Sequence, residues 1–81
     1  MASREIKEYG AQPLDALMSE LGVETQALVA ASDAHLTHKQ VGKARRGRRL
    51  TTRMQIKVRD ALNSLVLVPR TLEDLFTYRG G

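Results

Sequence analysis

The apolar positions of this chain fall into short helical stripes broken by polar turns. Leu14, Leu17, Met18 and Leu21 recur at i, i+3, i+4 and i+7, which predicts a first helix opening at Pro13 and closing at Gly22. Ala27, Leu28 and Ala31 mark the inner side of a shorter second helix from Val23 to Ala31, weakly capped by Glu24 or Thr25. Its alanines at 27, 30 and 31 let another helix come close. Ser32, Asp33, Ala34 and His35 carry turn chemistry. A third helix is predicted from Thr37 to Arg46. Thr37 is its N-cap and Gln40 completes a capping box, while Leu36 and Val41 stand at the two positions of a hydrophobic staple. Gly47 suits the left-handed position that ends such a helix.

A fourth helix starts at Thr51 or Thr52, with Gln55 placed to complete a box from Thr52. Met54, Val58, Ala61, Leu62 and Leu65 form its buried stripe, and Ile56 falls off it. The apolar run from Leu65 to Val68, stopped by Pro69, fits either a helix end or a short extended segment. Thr71 with Asp74 begins a last helical turn or two carrying Leu72, Leu75 and Phe76, and Arg79, Gly80 and Gly81 read as a frayed end. The expectation is an all-α protein, a compact bundle of four to five short helices. Residues 1–12 form an N-terminal arm that docks through Ile6 and Tyr9, 13–65 the main domain, and 66–81 an apolar segment for core closure or dimerisation.

Composition narrows the class. With 81 residues the chain holds one domain. Absence of cysteine excludes disulfides and thiolate metal sites. No apolar run approaches the roughly 20 residues that span a membrane. The first ten residues carry charges where a signal peptide needs an apolar core. A cytoplasmic location is expected. Charge then changes the picture. From Thr37 to Arg59 there are nine Lys or Arg and no Asp or Glu, while the rest of the chain carries a net −5. An acidic body with one acid-free basic block is the electrostatic footprint of a polyanion binder, since ordinary soluble surfaces mix both signs.

The order of these signals from Pro13 to Leu65 resembles the Cro/repressor-type (lambda-repressor-like, XRE-like) helix-turn-helix domain. The matching residues are Gly22-Val23 after the first helix, Leu28 in the scaffold helix, and Leu36-Thr37 entering the recognition helix. Val41 four residues on, Gly47 at the close and Ala61-Leu62 in the last helix complete them. The stretch from Leu28 to Leu36 is longer than the family's usual connection and lacks its turn glycine, so Asp33 or Ala34 would take that position. The resemblance implies a partner, double-stranded DNA, and a small transcriptional regulator whose third helix enters the major groove. It places His38, Lys39, Gln40 and Lys43 against base edges. Lysine can donate to guanine, and glutamine can pair with adenine. Thr37, Arg45, Arg46, Arg48, Arg49 and Arg53 are expected at phosphates, the guanidinium fork matching their oxygens and helix N-termini offering N–H groups. Gly42 costs about 1 kcal/mol inside a helix relative to alanine. Either it permits close approach to a base or a neighbouring backbone, or it is a tolerated poor helix former.

Other classes keep a place. The sequence from Lys43 to Arg49 also resembles arginine-rich RNA binders, which leaves an RNA- or ribosome-binding protein open, although no aromatic lies inside the basic block. The apolar stretch from Leu65 to Phe76 suits either core closure, a homodimer interface, or the grip of an antitoxin-like or phage protein-interaction module. An enzyme is not expected. His35 and His38 flank a cap, the acids at Asp15, Glu20, Glu24, Asp33 and Asp60 are scattered, and Gly42 and Gly47 lack phosphate-loop spacing. No metal, cofactor or small-molecule ligand is expected.

Overall fold

Local signals build most of the helices. The computed structural model describes residues 9–33 and 35–80, and its regular elements there are all helical: α1 (Pro13–Leu21), α2 (Thr25–Ala31), α3 (His38–Arg46), α4 (Thr52–Asn63) and α5 (Leu72–Leu75). None of these helices is long and apolar enough to cross a membrane. The capping box at the start of α3 is closed in both directions, Gln40 N–H to Thr37 Oγ1 at 3.1 Å and Thr37 N–H to Gln40 Oε1 at 3.0 Å. Leu36 and Val41 are 3% and 0% exposed, so each contributes roughly 1.5–3 kcal/mol by burial and together they fix how the chain enters α3. A second full box, Thr71 with Asp74, opens α5. There the Thr71 backbone N–H, before any other group, holds the Asp74 carboxyl below its ordinary 3.8.

One core serves all five helices. It gathers Leu14 and Met18 from α1, Leu28 from α2, Val41 and Ala44 from α3, Val58, Ala61 and Leu62 from α4, and Leu75 with Phe76 at the end. The third helix packs against α1, α2 and α4, so its inner side is fixed from three directions. The C-terminal segment divides. Leu75 and Phe76 close the core, whereas Leu67 is fully exposed and Val68 is 64% exposed.

Four expectations are corrected. Leu65 is 43% exposed rather than part of the α4 stripe, because the helix stops at Asn63 and the chain turns before reaching the core side again. The α4 cap is Thr51, and Gln55 makes no box with Thr52; it is buried and faces the C-terminal segment instead. Gly80 is not frayed: its N–H donates to Gln55 Oε1 and its carbonyl accepts from Thr52 Oγ1. Among the described residues of the α2–α3 connection the left-handed one is His35, with φ +57°, and not Asp33; Ala34, the other expected position, lies outside the described residues, as does Ile6 of the arm.

A non-glycine residue in the left-handed region costs roughly 1–2 kcal/mol, part of which glycine's greater unfolded freedom offsets. His35 is exposed, so removing its side chain gives up little burial. His35→Gly is therefore expected to stabilise the protein by roughly 0.5–1 kcal/mol in denaturant titration.

Candidate nucleic-acid interface

The basic block occupies the outer face of α3, the loop after it and the first turn of α4. Along α3, Val41 and Ala44 are fully buried, while His38, Lys39 and Arg46 are exposed and Gly42 and Lys43 partly so. Arg49 and Arg53 continue the exposed surface beyond the helix. Among the described residues Lys39, Lys43, Arg46, Arg49 and Arg53 have no acidic partner.

At least four of the ten expected contact residues, Thr37, Gln40, Arg45 and Arg48, are partly or wholly engaged within the protein. Arg45 is turned inward, its Nε paired with Asp15 of α1 and its Nη1 donating to Thr25 Oγ1 of α2 at 3.2 Å. That pairing removes Arg45 from the phosphate-facing set and makes it a tie between three helices. Gln40 uses one lone pair of its carboxamide oxygen in the capping box, so its NH₂ is the freer group and a paired donor–acceptor contact with adenine has to share that oxygen with the box. The Thr37 backbone N–H is satisfied by the same box, which leaves its hydroxyl proton as the free donor. The start of α4 is also partly covered, because the Gly80 backbone lies so close to Leu50 and Thr52 that a methyl group there would collide with both.

What holds the loop was not visible in the sequence. Both ends of the described chain fold beneath it. At the C-terminal end of α3, where carbonyls lack helical partners, the Arg45 carbonyl accepts from Gln12 N–H at 3.1 Å and the Gly47 carbonyl from Tyr9 N–H at 2.8 Å. Gly47 has φ +86°, and any side chain on it would collide with the Gly10 carbonyl. From the other end, the Tyr78 hydroxyl donates to the Arg48 carbonyl at 3.1 Å and accepts from Leu50 N–H at 3.0 Å. Tyr9 stacks on Tyr78 with ring centroids 4.2 Å apart, and Phe76 meets Tyr78 edge-on.

Two buried glutamines complete the clamp. Gln12 Oε1 accepts from the Thr77 N–H and hydroxyl, and its Nε2 donates to the Gly10 carbonyl at 3.0 Å. Gln55 Nε2 donates to the Tyr78 carbonyl, and its Oε1 accepts from Gly80. Gln55 did leave a trace in the sequence: it is a polar residue spaced with Val58 and Leu62 on the buried stripe of α4. Gln12, next to Pro13, left none.

Among the described residues no group of three or more His, Cys, Asp or Glu is brought together in a metal-binding arrangement. Comparison of the chain with protein-family models, with curated proteins and with solved structures finds no match.

Tyr78→Phe leaves the Leu50 N–H without its partner and is expected to cost about 1–3 kcal/mol of stability. Burial raises the Tyr78 hydroxyl above its ordinary 10.0. Its contribution is therefore complete below pH 10.0 and is lost as pH rises through the higher folded value. Denaturant curves at rising alkaline pH should show this loss in the wild type and not in Tyr78→Phe.

Proposed function

We propose that this protein binds double-stranded DNA in a sequence-dependent way, as a small transcriptional regulator that lays α3 in the major groove. The observation carrying this is the division of α3 into an inner side locked by core contacts and an outer side of unpaired cations, continued by Arg49 and Arg53. A helix held on three sides and charged on the fourth presents its side chains in fixed positions to a groove wide enough to admit it. His38, Lys39 and Lys43 face base edges, with the Gln40 NH₂ as an auxiliary donor. Arg48, Arg49, Arg53 and the Thr37 hydroxyl face phosphates. The resemblance of the sequence to the Cro/repressor-type domain supports this reading, and His35, with φ +57°, lies in the longer turn between α2 and α3. A nucleoid-associated location accompanies this reading.

Duplex DNA is favoured over single-stranded RNA by where the aromatics sit. Phe76 is 4% exposed, and Tyr78 is engaged by its hydroxyl and by Tyr9. The rings support the loop from beneath and form no platform of open faces for successive bases. A two-fold arrangement of subunits is part of the proposal. Leu21, Val23, Leu65, Val66, Leu67 and Val68 line one apolar groove apart from the α3 surface in sequence; Val23 and Val66 also pack against the core, while Leu21, Leu65, Leu67 and Val68 are exposed. A second copy seated there would present two copies of α3 to a palindromic site.

With the three arginines at phosphates, affinity is expected to fall on the order of 500-fold for each tenfold rise in salt. Lys39→Ala and Lys43→Ala should alter which duplexes are preferred. Arg49→Ala and Arg53→Ala should weaken all duplexes alike, each lowering the salt slope by about 1. Anisotropy titrations on selected and scrambled duplexes separate the two groups, and equal losses in both classes would sink the division. Arg45→Ala should instead lower the melting temperature, since its partners are Asp15 and Thr25. For the two-fold arrangement, Leu67→Asp should convert a dimer to a folded monomer in sedimentation velocity; a wild type already monomeric at high concentration rules that part out.

A further inference from the structure

Gly42 sits in the middle of the outer face of α3, where helix propensity favours almost any other residue. The three atoms that a methyl group added there would meet first all belong to Arg46, with Nη1 at 3.0 Å and Cζ and Nη2 both at 3.7 Å. The Arg46 side chain therefore runs back toward the N-terminus of α3, the direction in which helical Cα–Cβ bonds tilt, and rests its guanidinium over the bare Gly42 backbone. The head group thus lies one turn back from its own Cα, at the centre of the exposed face beside Lys39 and Lys43 and away from the loop that follows the helix.

Of the two arginines in α3, Arg45 is held by Asp15, and Arg46 has no acidic partner among the described residues. Arg46 is then the one planar fork of donors on this face. Gln40, another side chain able to pair with a base through two atoms, has its acceptor oxygen engaged by the capping box.

We propose that Gly42 and Arg46 together form a guanine reader, which rests on the reading of α3 as a major-groove helix. Seated over Gly42, the guanidinium donates in parallel to O6 and N7 of a guanine, the acceptor pair that matches its fork. Gly42 is a positioning residue. A Cβ there displaces the guanidinium by a few tenths of an ångström and removes the gap through which it lies close to the helix axis. Arg46 thereby moves from the phosphate-binding group expected from its place in the basic run to the base-reading group.

The test is selection of duplexes from a random pool, followed by affinity measurements on the selected site with one base pair replaced at a time. Wild type is expected to enrich a guanine at one position and to disfavour its replacement there on the order of 5- to 150-fold. Arg46→Ala should remove that preference at that position alone. Arg46→Lys should remove most of it although the charge is kept, because an ammonium does not form the paired contact. Gly42→Ala should raise the melting temperature and weaken the same preference, a combination that a purely structural role for Gly42 does not produce. The proposal is overturned if wild type enriches a site without guanine, or if Arg46→Ala weakens every duplex equally with a shallower salt slope. Absence of any duplex binding by wild type overturns the major-groove reading itself, and the guanine reader with it.

Discussion

The loop after α3 has to hold one backbone conformation against its own charge. Arg45, Arg46, Arg48, Arg49 and Arg53 crowd into a short stretch with no acid among them, and the end of a helix adds carbonyls that need donors. Left to itself such a segment spreads apart. Here it is clamped from beneath by both ends of the described chain. Tyr9 and Gln12 satisfy the carbonyls at the end of α3, and Tyr78 bridges the two sides of the loop through one hydroxyl. Gln12 and Gln55 lock these segments to each other and to α4. No buried side-chain nitrogen or oxygen among the described residues is left without a partner, so the polar layer beneath the loop adds rigidity without the penalty of an unsatisfied group.

The same constraint explains how cations are shared between structure and surface. Arg45, at the inner edge of α3, is neutralised by Asp15 and hydrogen-bonded to Thr25, and so binds α3 to α1 and α2. One residue later Arg46 faces outward and folds over Gly42. Neighbouring residues of one type in a basic run thus take opposite roles, because successive helix positions are turned by about 100°. The acids of the chain lie outside the basic block, and Asp15 reaches into it only to meet Arg45.

Much of α3 was legible in the sequence. Its capping box, staple pair and closing glycine are relations among residues within one or two turns, and each is found where the residue types place it. The box of Thr71 and Asp74 was legible for the same reason. Gln55 was misjudged because a glutamine three residues after a threonine looks like a capping partner wherever it occurs. Its buried position on the α4 stripe carried the better clue. His35 was missed since no local rule prefers it over Asp33 or Ala34 for a left-handed turn. Leu65 continued the apolar period of α4 but lies past the point where the helix ends.

Sequence by itself determined the all-helical class, the capped and amphipathic third helix, and the acid-free basic block, because periodicity, caps and charge density depend on neighbours in the chain. Only the tertiary structure decided which polar groups are spent inside. Gln12 meets Thr77 across 65 residues and Tyr78 meets Arg48 across 30, separations over which residue type carries no signal of pairing. A glutamine or tyrosine has the same identity whether it is solvated or clamps a loop. Its role is fixed by what the packed core brings within about 3 Å of it.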